Sequence, residues 1–455
     1  MTIRLVSVNL APRENWKRAV LFLPLLFSAG AISQADVGQS SSSFCVYHMD
    51  SIADAEIIII GGGAIGCGVA YALAQAGKTD VLLLERAGEL GQVTTSQGAG
   101  LCGQVRDSPE RIKLAMHSVR TFRKLQLDPD VKPDWHEVGS LRIALNEKRA
   151  EEFRRLKKAA DEAGLEAAFI DKTEASRRWP QMNFADTTAI LWCPSDGYMT
   201  PGCVVKAYEC QCRKAGVRFQ TLVQVEQIIN TNGRVTGVRT NKGSAKCRYV
   251  INAAGAHAYH IAKLAGLELP IVPVRHEYFI TVPMAGLSPD MPCFRIPEMT
   301  LYGRVRDQGL LLGGWENTAL STDPREYSLS ADPPPVVPDM PVLNNFEANF
   351  IRLFPAAKAA ERKFIGKGWP TFTPDGRFII GESSRVKGFV MAGGCNAHGI
   401  SGSGGIGKLL LESLFEPNPS EYVKSLSPDR FSETKWAWPE AIRQARMVYE
   451  TYYGV

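Results

Sequence analysis

A strand, a glycine-rich turn, a helix and a second strand follow one another early in the sequence, and this order constrains the fold more than any other feature. Glu56–Ile60 is a β-branched run that suits a strand buried on both faces. It continues into Gly61–Gly66, which has glycine at all three positions of a Gly-x-Gly-x-x-Gly pattern. Cys67–Ala76 is the predicted helix, and Val81–Leu84 is the predicted second strand. This order predicts a βαβ unit that binds a dinucleotide at its turn.

Each glycine of the pattern has a physical task. Gly61 permits the tight turn, Gly63 lets the backbone approach a pyrophosphate, and Gly66 lets the helix pack against the strand. The helix N-terminus offers free N–H groups to the phosphate oxygens. Glu85 follows the second strand and can accept hydrogen bonds from an adenosine ribose. Because an acid rather than a base stands there, the pattern favours FAD or NAD over NADP.

Composition and charge exclude several classes of protein. The chain has 455 residues, 45% hydrophobic and 22% charged, which is typical of a folded globule with two or three domains. A formal net charge of +5, without zinc-finger or RNP-type patterns, gives no indication of a nucleic-acid surface. The ten cysteines form no C-x-x-C pair, so we expect buried thiols rather than a disulfide framework. His257 and His260 share a helix face, but no third ligand accompanies them, and we predict no metal site.

Residues 1–48 differ from the rest of the chain. They hold scattered basic residues, the apolar run Ala19–Ile32 and a serine cluster. The run is shorter than the roughly 20 residues that cross a bilayer. Three interpretations stay open: a secretory signal with a long basic leader, a mitochondrial presequence, or a stretch upstream of a translation start at Met49. The secretory route is the less favoured, no later segment predicts an integral membrane span, and we expect a cytoplasmic or mitochondrial matrix location.

Further strand-and-turn motifs occur far along the chain. Tyr249–Gly255 is a strand that runs into a small-residue turn, and Phe389–Ile400 is another that precedes a glycine-rich helix. The chain resembles the D-amino-acid-oxidase-like FAD-dependent oxidoreductases, most closely the branch of dimethylglycine dehydrogenase, sarcosine dehydrogenase and related N-methyl amine oxidases. The resemblance is carried, in family order, by Ile57–Glu85, Thr94–Leu101, Ile251–Gly255, Pro273–Thr281, Leu310–Glu316, Phe372–Arg377 and Gly393–Lys408.

The resemblance implies an α/β fold over residues 55–416. An FAD-binding, Rossmann-like parallel sheet with helices would be interleaved in sequence with an antiparallel-sheet α+β substrate domain. Residues 417–455 would form a C-terminal extension. The FAD-binding parts would be about 55–105, 200–265 and 370–416, and the substrate-domain parts would be about 135–195 and 270–365.

Periodicity and proline content predict individual elements within these parts. Gly139–Leu145 and Val272–Thr281 alternate as strands with one covered face do, and Glu147–Ala163 has the pattern of a charged amphipathic helix. The proline-rich stretch Asp332–Pro341 predicts a surface loop without regular structure.

The resemblance also implies which residues hold the FAD. The glycine turn would take the pyrophosphate, Glu85 the ribose, and Val225 would flank the adenine. Thr95–Leu101 would lie beside the flavin and the ribityl chain, and Asn396–Ile400 would face the isoalloxazine. The predicted FAD-binding residues are Gly61, Gly63, Ala64, Ile65, Gly66, Glu85, Arg86, Thr95, Ser96, Gln97, Gly98, Ala99, Gly100, Leu101, Val225, Ala254, Gly255, Asp375, Gly394, Asn396, His398, Gly399 and Ile400.

Two departures from the family pattern lead to predictions. In the dehydrogenases named, a histidine in the segment that matches Thr94–Leu101 binds FAD covalently. Here the position holds Gln97, which has no nucleophilic ring nitrogen, so we predict non-covalent FAD. We expect Cys395 to be a small packing residue rather than a covalent link. Those dehydrogenases also carry a long C-terminal folate-binding half, which we do not expect here.

The predicted reaction oxidises the C–N bond of a small N-methyl amine or amino acid to an imine, which water hydrolyses. The cofactor does the hard step, and the protein must hold the donor C–H over the ring and favour the neutral amine. Oxygen or an electron-transfer flavoprotein would accept the electrons. Two alternatives stay open: a non-catalytic regulatory subunit with a flavin fold, and a hydroxy-acid dehydrogenase on the same scaffold.

Four residues are the predicted catalytic set. His276 and Tyr278 share one face of the expected strand. By resemblance, Tyr278 matches a tyrosine near the flavin, and we predict that it orients the substrate with His276 as its neighbour. Arg106, just past the flavin segment, and Arg304 are the candidates for the substrate carboxylate, which an arginine fork suits.

Overall fold

The computed structural model describes residues 52–432 and 435–452, and the interpretations of residues 1–48 lie outside these ranges. The strands are β1 Ile57–Ile60, β2 Val81–Leu84, β3 Leu101–Cys102, β4 Ser140–Ala144, β5 Ala168–Phe169, β6 Ala189–Cys193, β7 Gly197–Tyr198, β8 Arg218–Gln220, β9 Val225–Thr231, β10 Arg234–Thr240, β11 Gly243–Lys246, β12 Tyr249–Asn252, β13 Val272–Pro273, β14 His276–Thr281, β15 Cys293–Ile296, β16 Leu301–Arg306, β17 Gly309–Gly314, β18 Arg362–Gly368, β19 Thr371–Phe372, β20 Ile379–Glu382 and β21 Phe389–Gly393. The α-helices are α1 Ala64–Gln75, α2 Pro109–Gln126, α3 Glu147–Ala163, α4 Lys172–Arg178, α5 Pro201–Lys214, α6 Ala258–Leu264, α7 Met340–Ile351, α8 Ser403–Phe415, α9 Glu421–Lys424 and α10 Trp438–Tyr452. Among the described residues, no helix combines the length and apolar character that a membrane crossing requires.

A six-stranded sheet in the order β20-β21-β12-β1-β2-β8, here called the parallel sheet, contains the predicted βαβ unit. β1 pairs in parallel with β2 and β12, and only β20 runs antiparallel to its neighbour. All four residues of β1 are buried, as expected for a strand covered on both faces. The α/β fold class is confirmed. All six strands fall within the three ranges predicted to bind FAD.

The predicted start of the first helix at Cys67 is wrong by one turn. α1 begins at Ala64, because Gly63 is extended and its carbonyl accepts the hydrogen bond of the Cys67 N–H at 3.0 Å. Gly66 therefore lies inside the first helical turn rather than before the helix. The sequence pattern placed the turn correctly. It could not show that Gly66 is helical, because glycine has a low preference for helices and adopts many other conformations.

An eight-stranded sheet in the order β18-β14-β17-β16-β15-β4-β6-β5, here called the roof sheet, contains the strands predicted for the substrate domain. Its neighbours are antiparallel except β4 and β15, which pair in parallel. These two strands come from the separate ranges 135–195 and 270–365, so no hairpin fixes their direction. One face of the roof sheet packs Phe279, Phe294 and Leu312 with the apolar side of α7. The domain boundaries themselves stay predictions.

Hydrophobic periodicity predicted β4 and α3 correctly, whereas proline content gave a wrong prediction at the start of α7. β4 lies inside the predicted Gly139–Leu145, and α3 has the predicted bounds Glu147–Ala163. The loop predicted over Asp332–Pro341 is wrong at its end, since α7 already begins at Met340. Proline is tolerated in a first helical turn because its missing N–H would have no partner there. The Asp339 side chain caps this helix by accepting from the Val342 N–H.

The C-terminal helix α10 packs against the chain's own core. Trp438, Ala445 and Tyr449 are buried in one cluster with Tyr259 and Phe372. This contact brings the Tyr449 ring next to residues of β14, far away in sequence. The end of the described chain thereby contributes to the region under the roof sheet.

Glycines let α1, α2 and α8 approach more closely than side chains would allow. A Cβ on Gly405 of α8 would lie 2.4 Å from the Leu114 carbonyl oxygen of α2, and one on Gly68 of α1 would lie 2.7 Å from the Ser403 carbonyl oxygen. Both obstacles are backbone atoms, which cannot rotate away. The packing of these helices against the parallel sheet therefore depends on missing side chains.

Gly405→Ala should lower the free energy of unfolding by about 1–3 kcal/mol, because the added methyl group overpacks a backbone contact. Gly202→Ala is the matched control: Gly202 lies in α5, and a Cβ there meets nothing within 4 Å. The control should leave stability unchanged or raise it by up to about 1 kcal/mol, the helix-propensity difference. Urea denaturation of both variants measures the effect, and equal stabilities would contradict the packing argument.

Candidate active site

The glycine turn between β1 and α1 is built by backbone contacts. Gly61 has φ +109°, and a Cβ on it would lie 2.6 Å from the Ala253 carbonyl oxygen. A Cβ on Gly66 would lie only 1.9 Å from the Gly61 carbonyl oxygen. Gly63 differs, since its nearest neighbour would be the Thr95 hydroxyl at 3.1 Å. Gly61 and Gly66 are thus required by packing, whereas Gly63 keeps a bare backbone beside open space.

Two cavities meet at this turn. The first lies below the roof sheet and the second beside β1 and β2, with about 1470 Å³ and 750 Å³ of empty space that includes their open mouths. Five residues line both cavities, so together they form one elongated groove with the glycine turn near its middle. The shared residues are Gly63, Thr94, Thr95, Ala253 and Gly255.

Most of the predicted FAD-binding residues line this groove. Among the predicted residues, those that line only the second cavity are Gly61, Glu85, Arg86, Val225 and Ala254. The predicted residues that line only the first cavity are Ala64, Ile65, Gln97, Gly98, Ala99, Gly100, Leu101, His398, Gly399 and Ile400. Residues expected near the adenosine and residues expected near the flavin thus lie at opposite ends.

Glu85 and Arg86 fix the second cavity through hydrogen bonds. The Glu85 carboxylate accepts from the Gly62 N–H at 2.7 Å and from the Ala87 N–H at 2.8 Å, which ties β2 to the glycine turn. Arg86 donates to the carbonyl oxygens of Leu329 and Ala331 at 3.0 Å each. Contact of Glu85 with a ribose stays a prediction, since its observed partners are backbone N–H groups.

Five predicted FAD residues lie outside the groove lining. Gly66 packs on the turn, the Ser96 hydroxyl donates to the Val93 carbonyl, and Asp375 pairs with Arg430 near the surface. The buried Asn396 side chain accepts from the Thr373 N–H at 3.0 Å and donates to the Gly394 carbonyl at 2.9 Å. Asn396 and Gly394 therefore shape the turn that carries His398.

The four predicted catalytic residues divide into two pairs. His276 and Arg106 line the first cavity. Tyr278 and Arg304 are buried behind its wall, where the Tyr278 hydroxyl donates to the Gly98 carbonyl at 3.4 Å and Arg304 Nε donates to the Ala99 carbonyl at 3.1 Å. In this arrangement Tyr278 and Arg304 support the segment that contains Gln97–Leu101.

Sequence reasoning identified Tyr278 but missed the other members of a row of residues that crosses the roof sheet. Successive strand pairs keep the row in register, and it consists of Tyr278, Gly313, Tyr302, Arg295 and Arg142. A Cβ on Gly313 would lie 2.4 Å from the Tyr302 hydroxyl, so this glycine leaves room for the ring. Tyr302, Arg295 and Arg142 all line the first cavity. Strand alternation from Tyr278 could not find them without the pairing of distant strands.

His276 links two tyrosines at the first cavity. Its Nε2 lies 2.6 Å from the Tyr302 hydroxyl, and its Nδ1 lies 3.3 Å from the Tyr449 hydroxyl. Burial, with a smaller contribution from Arg295, lowers the pKa of His276 to about 4. The imidazole is therefore neutral at pH 7 and holds both hydroxyls by hydrogen bonds.

A parallel sheet with a bare glycine turn, covered by a second sheet over one elongated groove, defines the class of dinucleotide-dependent oxidoreductases. The chain belongs to the DAO family of FAD dependent oxidoreductases, whose family model matches residues 56–413. FAD is thus the cofactor of the family. The groove fits it, because Gly63 lines both cavities and has no Cβ that would keep its backbone from a pyrophosphate.

Three curated relatives match most of this chain. Human mitochondrial sarcosine dehydrogenase is 29% identical over 86% of this chain and 43% of its own length. The mitochondrial pyruvate dehydrogenase phosphatase regulatory subunit of Mus musculus is 28% identical over 86% and 45%. The 4-methylaminobutanoate oxidase (formaldehyde-forming) of Paenarthrobacter nicotinovorans is 28% identical over 82% and 45%. The chain spans less than half the length of these relatives.

Solved structures share the fold over almost their whole length. L-proline dehydrogenase from P. horikoshii has a TM-score of 0.75 at 23% identity, covering 84% of this chain and 99% of that one. Glycine oxidase from Geobacillus kaustophilus has a TM-score of 0.69 at 22% identity, covering 83% and 99%. The resemblance to the family, and the fold it implied, are confirmed.

We predict that acid denaturation releases the FAD. Gln97 lines the first cavity and offers no nucleophilic nitrogen, and burial raises the pKa of the Cys395 thiol to about 12, which disfavours the thiolate. Trichloroacetic acid should give a yellow supernatant and a colourless pellet. A yellow pellet would show a covalent link, and peptide mapping would then identify the attached residue.

His257, at the second cavity, should make folding sensitive to acid. Its Nε2 lies 2.8 Å from the Ala331 carbonyl oxygen, and burial, with a contribution from Arg86, lowers its pKa to about 4. Between about pH 6.5 and 4 the unfolded state binds a proton here that the folded state does not. The free energy of unfolding therefore falls as pH decreases through this window.

His257→Gln should remove this contribution. Denaturant titrations at several pH values should give a slope that is shallower by as much as about 1.4 kcal/mol per pH unit below pH 6.5. The glutamine side chain can still donate to the Ala331 carbonyl, so the comparison isolates the titration. Identical slopes for the variant and the parent protein would contradict the assignment.

Proposed function

We propose that the protein oxidises the C–N bond of a small N-methyl amine or amino acid to an imine, which water then hydrolyses. The observation that carries this proposal is the first cavity, where Arg106, His276 and Tyr302 line the same space as Gln97–Leu101. The names of two relatives, sarcosine dehydrogenase and 4-methylaminobutanoate oxidase, support an N-methyl substrate. When bound, FAD supplies the two-electron acceptor for the oxidation.

The chain's own residues bind and orient the substrate. Arg106 provides the cationic fork for a carboxylate. The Tyr302 hydroxyl and His276 Nε2, 2.6 Å apart, form a hydrogen-bonded pair that can accept an N–H of the substrate amine. Since the low pKa of His276 keeps its ring neutral at pH 7, the pair adds no charge that would oppose a developing iminium. Tyr449 holds the other ring nitrogen and so fixes the ring's orientation.

Location and electron acceptor belong to the same proposal. The mitochondrial sarcosine dehydrogenase relative supports the mitochondrial matrix, with the cytoplasm as the alternative. Oxygen or an electron-transfer flavoprotein would accept the electrons. Oxygen consumption compared with reduction of an artificial acceptor distinguishes the two acceptors.

Anaerobic mixing with sarcosine, dimethylglycine and a panel of other N-methyl amines tests the activity. At least one compound should bleach the flavin absorbance, and stoichiometric aldehyde or keto acid should appear. Tyr302→Phe should lower kcat/KM by about 10- to 100-fold, which is the effect of losing one positioned hydrogen-bonding group. Tyr422→Phe, a partly buried tyrosine of α9, is the control and should retain activity.

A second candidate is a regulatory subunit without turnover. Similarity to the pyruvate dehydrogenase phosphatase regulatory subunit, 28% over 86% of this chain, favours it specifically. The same experiment decides between the two functions. A regulator would stay yellow with every compound of the panel, including hydroxy acids, whereas bleaching by hydroxy acids alone would indicate a hydroxy-acid dehydrogenase.

A further inference from the structure

Two consecutive carbonyl groups in the wall of the first cavity are held from outside the cavity. Gly98 and Ala99 line the cavity, whereas Tyr278 and Arg304 lie behind them. The Gly98 carbonyl accepts from the Tyr278 hydroxyl at 3.4 Å, and the Ala99 carbonyl accepts from Arg304 Nε at 3.1 Å. Both carbonyls therefore point away from the cavity and into the protein.

The direction of these carbonyls determines the direction of the N–H groups that follow them. A trans peptide bond is planar and places its C=O and its N–H on opposite sides. The Ala99 and Gly100 N–H groups therefore point away from Tyr278 and Arg304, toward the cavity that both residues line. Neither N–H has a hydrogen-bond acceptor among the residues that the structure describes. Unpaired N–H groups are rare inside proteins, so this pair indicates an acceptor that a ligand supplies.

Gly100 keeps this part of the chain in place. Its φ of +78° lies in the left-handed region, and a Cβ on it would lie 2.0 Å from the Met199 carbonyl oxygen. Its own carbonyl accepts from the Met199 N–H at 3.0 Å, directly before β3 pairs with β7. Three successive carbonyls, those of Gly98, Ala99 and Gly100, are thus each held by a different partner. The peptide planes between them are fixed before any ligand binds.

Arg304 contributes a charge as well as a hydrogen bond. It is 2% exposed, its Nη1 donates to the Val305 carbonyl at 3.1 Å, and its guanidinium carbon lies 4.2 Å from the centre of the Tyr198 ring. Burial lowers the pKa of Arg304, but a guanidinium stays charged at pH 7. A hydrogen bond from a charged donor is roughly twice as strong as a neutral one, and it polarises the peptide that accepts it. The Gly100 N–H, in the same peptide group as the Ala99 carbonyl, is therefore a stronger donor.

We propose that Arg304 is a positioning residue for the flavin and does not bind the substrate carboxylate. It directs the Gly100 N–H into the first cavity and strengthens it as a donor, while Tyr278 directs the Ala99 N–H with a neutral hydrogen bond. This inference rests on the proposed function, which assigns the oxidation to this cavity. Reduction adds negative charge to the flavin, and fixed donors stabilise charge where it develops. Arg304 thus makes bound FAD easier to reduce.

The midpoint potential of the FAD-loaded full chain tests the proposal, measured against a reference dye without any amine. Arg304→Met should lower the ratio of reduced to oxidised flavin at a given potential at least about tenfold, which is about 30 mV for a two-electron couple. Arg304→Lys keeps a cation and a donor and should stay within about threefold of the parent protein. Arg239→Met, at an exposed position of β10, is the matched control and should leave the potential unchanged.

Two other roles of Arg304 give different results. If Arg304 only stabilised the wall, Arg304→Met would weaken FAD binding or lower the melting temperature and leave the potential of the bound FAD unchanged. If it bound the substrate carboxylate, the variant would raise KM for sarcosine and not for N-methylglycinamide, which has an amide in place of the carboxylate. Either result would overturn the proposal. The positioning role predicts that kcat falls by the same factor for both compounds.

Tyr278→Phe covers the case in which Arg304→Met does not retain FAD. The variant removes the donor to the Gly98 carbonyl and keeps the ring in its packing. It should lower the ratio of reduced to oxidised flavin by about two- to fivefold, as expected for one neutral hydrogen bond. In that case an unchanged potential of Tyr278→Phe overturns the proposal.

Because the potential is measured without an amine, the outcomes separate this proposal from the proposed function. A lowered potential of Arg304→Met, with no bleaching of the parent protein by any amine, supports the positioning role and contradicts the proposed oxidation. Bleaching by an amine together with an unchanged potential of the variant overturns the positioning role alone. No bleaching and no change in potential contradict both.

Discussion

The groove depends on one contact at which no side chain fits: the α carbon of Gly66 against the carbonyl of Gly61. A Cβ there would approach the oxygen to 1.9 Å, so glycine alone lets α1 begin directly at the end of β1. Gly61 in turn packs on the Ala253 backbone of the strand end next to it. These backbone contacts bring the ends of parallel strands together. Gly63, between the two packed glycines, lines both cavities. The place where a dinucleotide can lie is thus determined before any functional side chain is considered.

The roof sheet, on the other side of the first cavity, supplies the polar and charged side chains of the site. One of its faces is an apolar interface with α7, while the other presents Tyr302, Arg295 and Arg142 in a single row. Because alternate residues of a strand point to opposite faces, the same strands serve both purposes. The cavity combines these arginines with His276 and His398, whose imidazoles burial keeps neutral at pH 7 by lowering their pKa values.

The sequence predicted what is encoded locally. The strand-turn-helix order around Gly61 identified the βαβ unit, and the amphipathic pattern gave α3 its bounds. The resemblance identified the family, and most of the FAD-binding residues that it predicted line the groove. Neither the local patterns nor the resemblance predicted the pairing of β4 with β15, because this pairing joins residues that are far apart in the chain. Arg142 looked like one arginine among many until that pairing placed it beside Arg295.

Non-local contacts also explain the differences at individual residues. Tyr278 lies on the expected face, but Tyr302 stands between it and Arg295, so Tyr278 contacts the Gly98 carbonyl instead. Tyr449 reaches His276 only because α10 packs back on the core. Asn396 matched a flavin-facing motif, yet its side chain is used within its own turn. A motif identifies a segment, whereas the direction of each side chain depends on the tertiary fold.

The most direct test of this account is a titration of the purified, flavin-free protein with FAD, followed by visible absorbance and flavin fluorescence. The account predicts saturation at one FAD per chain, with the fluorescence change unaffected by excess NAD. A correctly folded protein that stays colourless and takes up no FAD would contradict it.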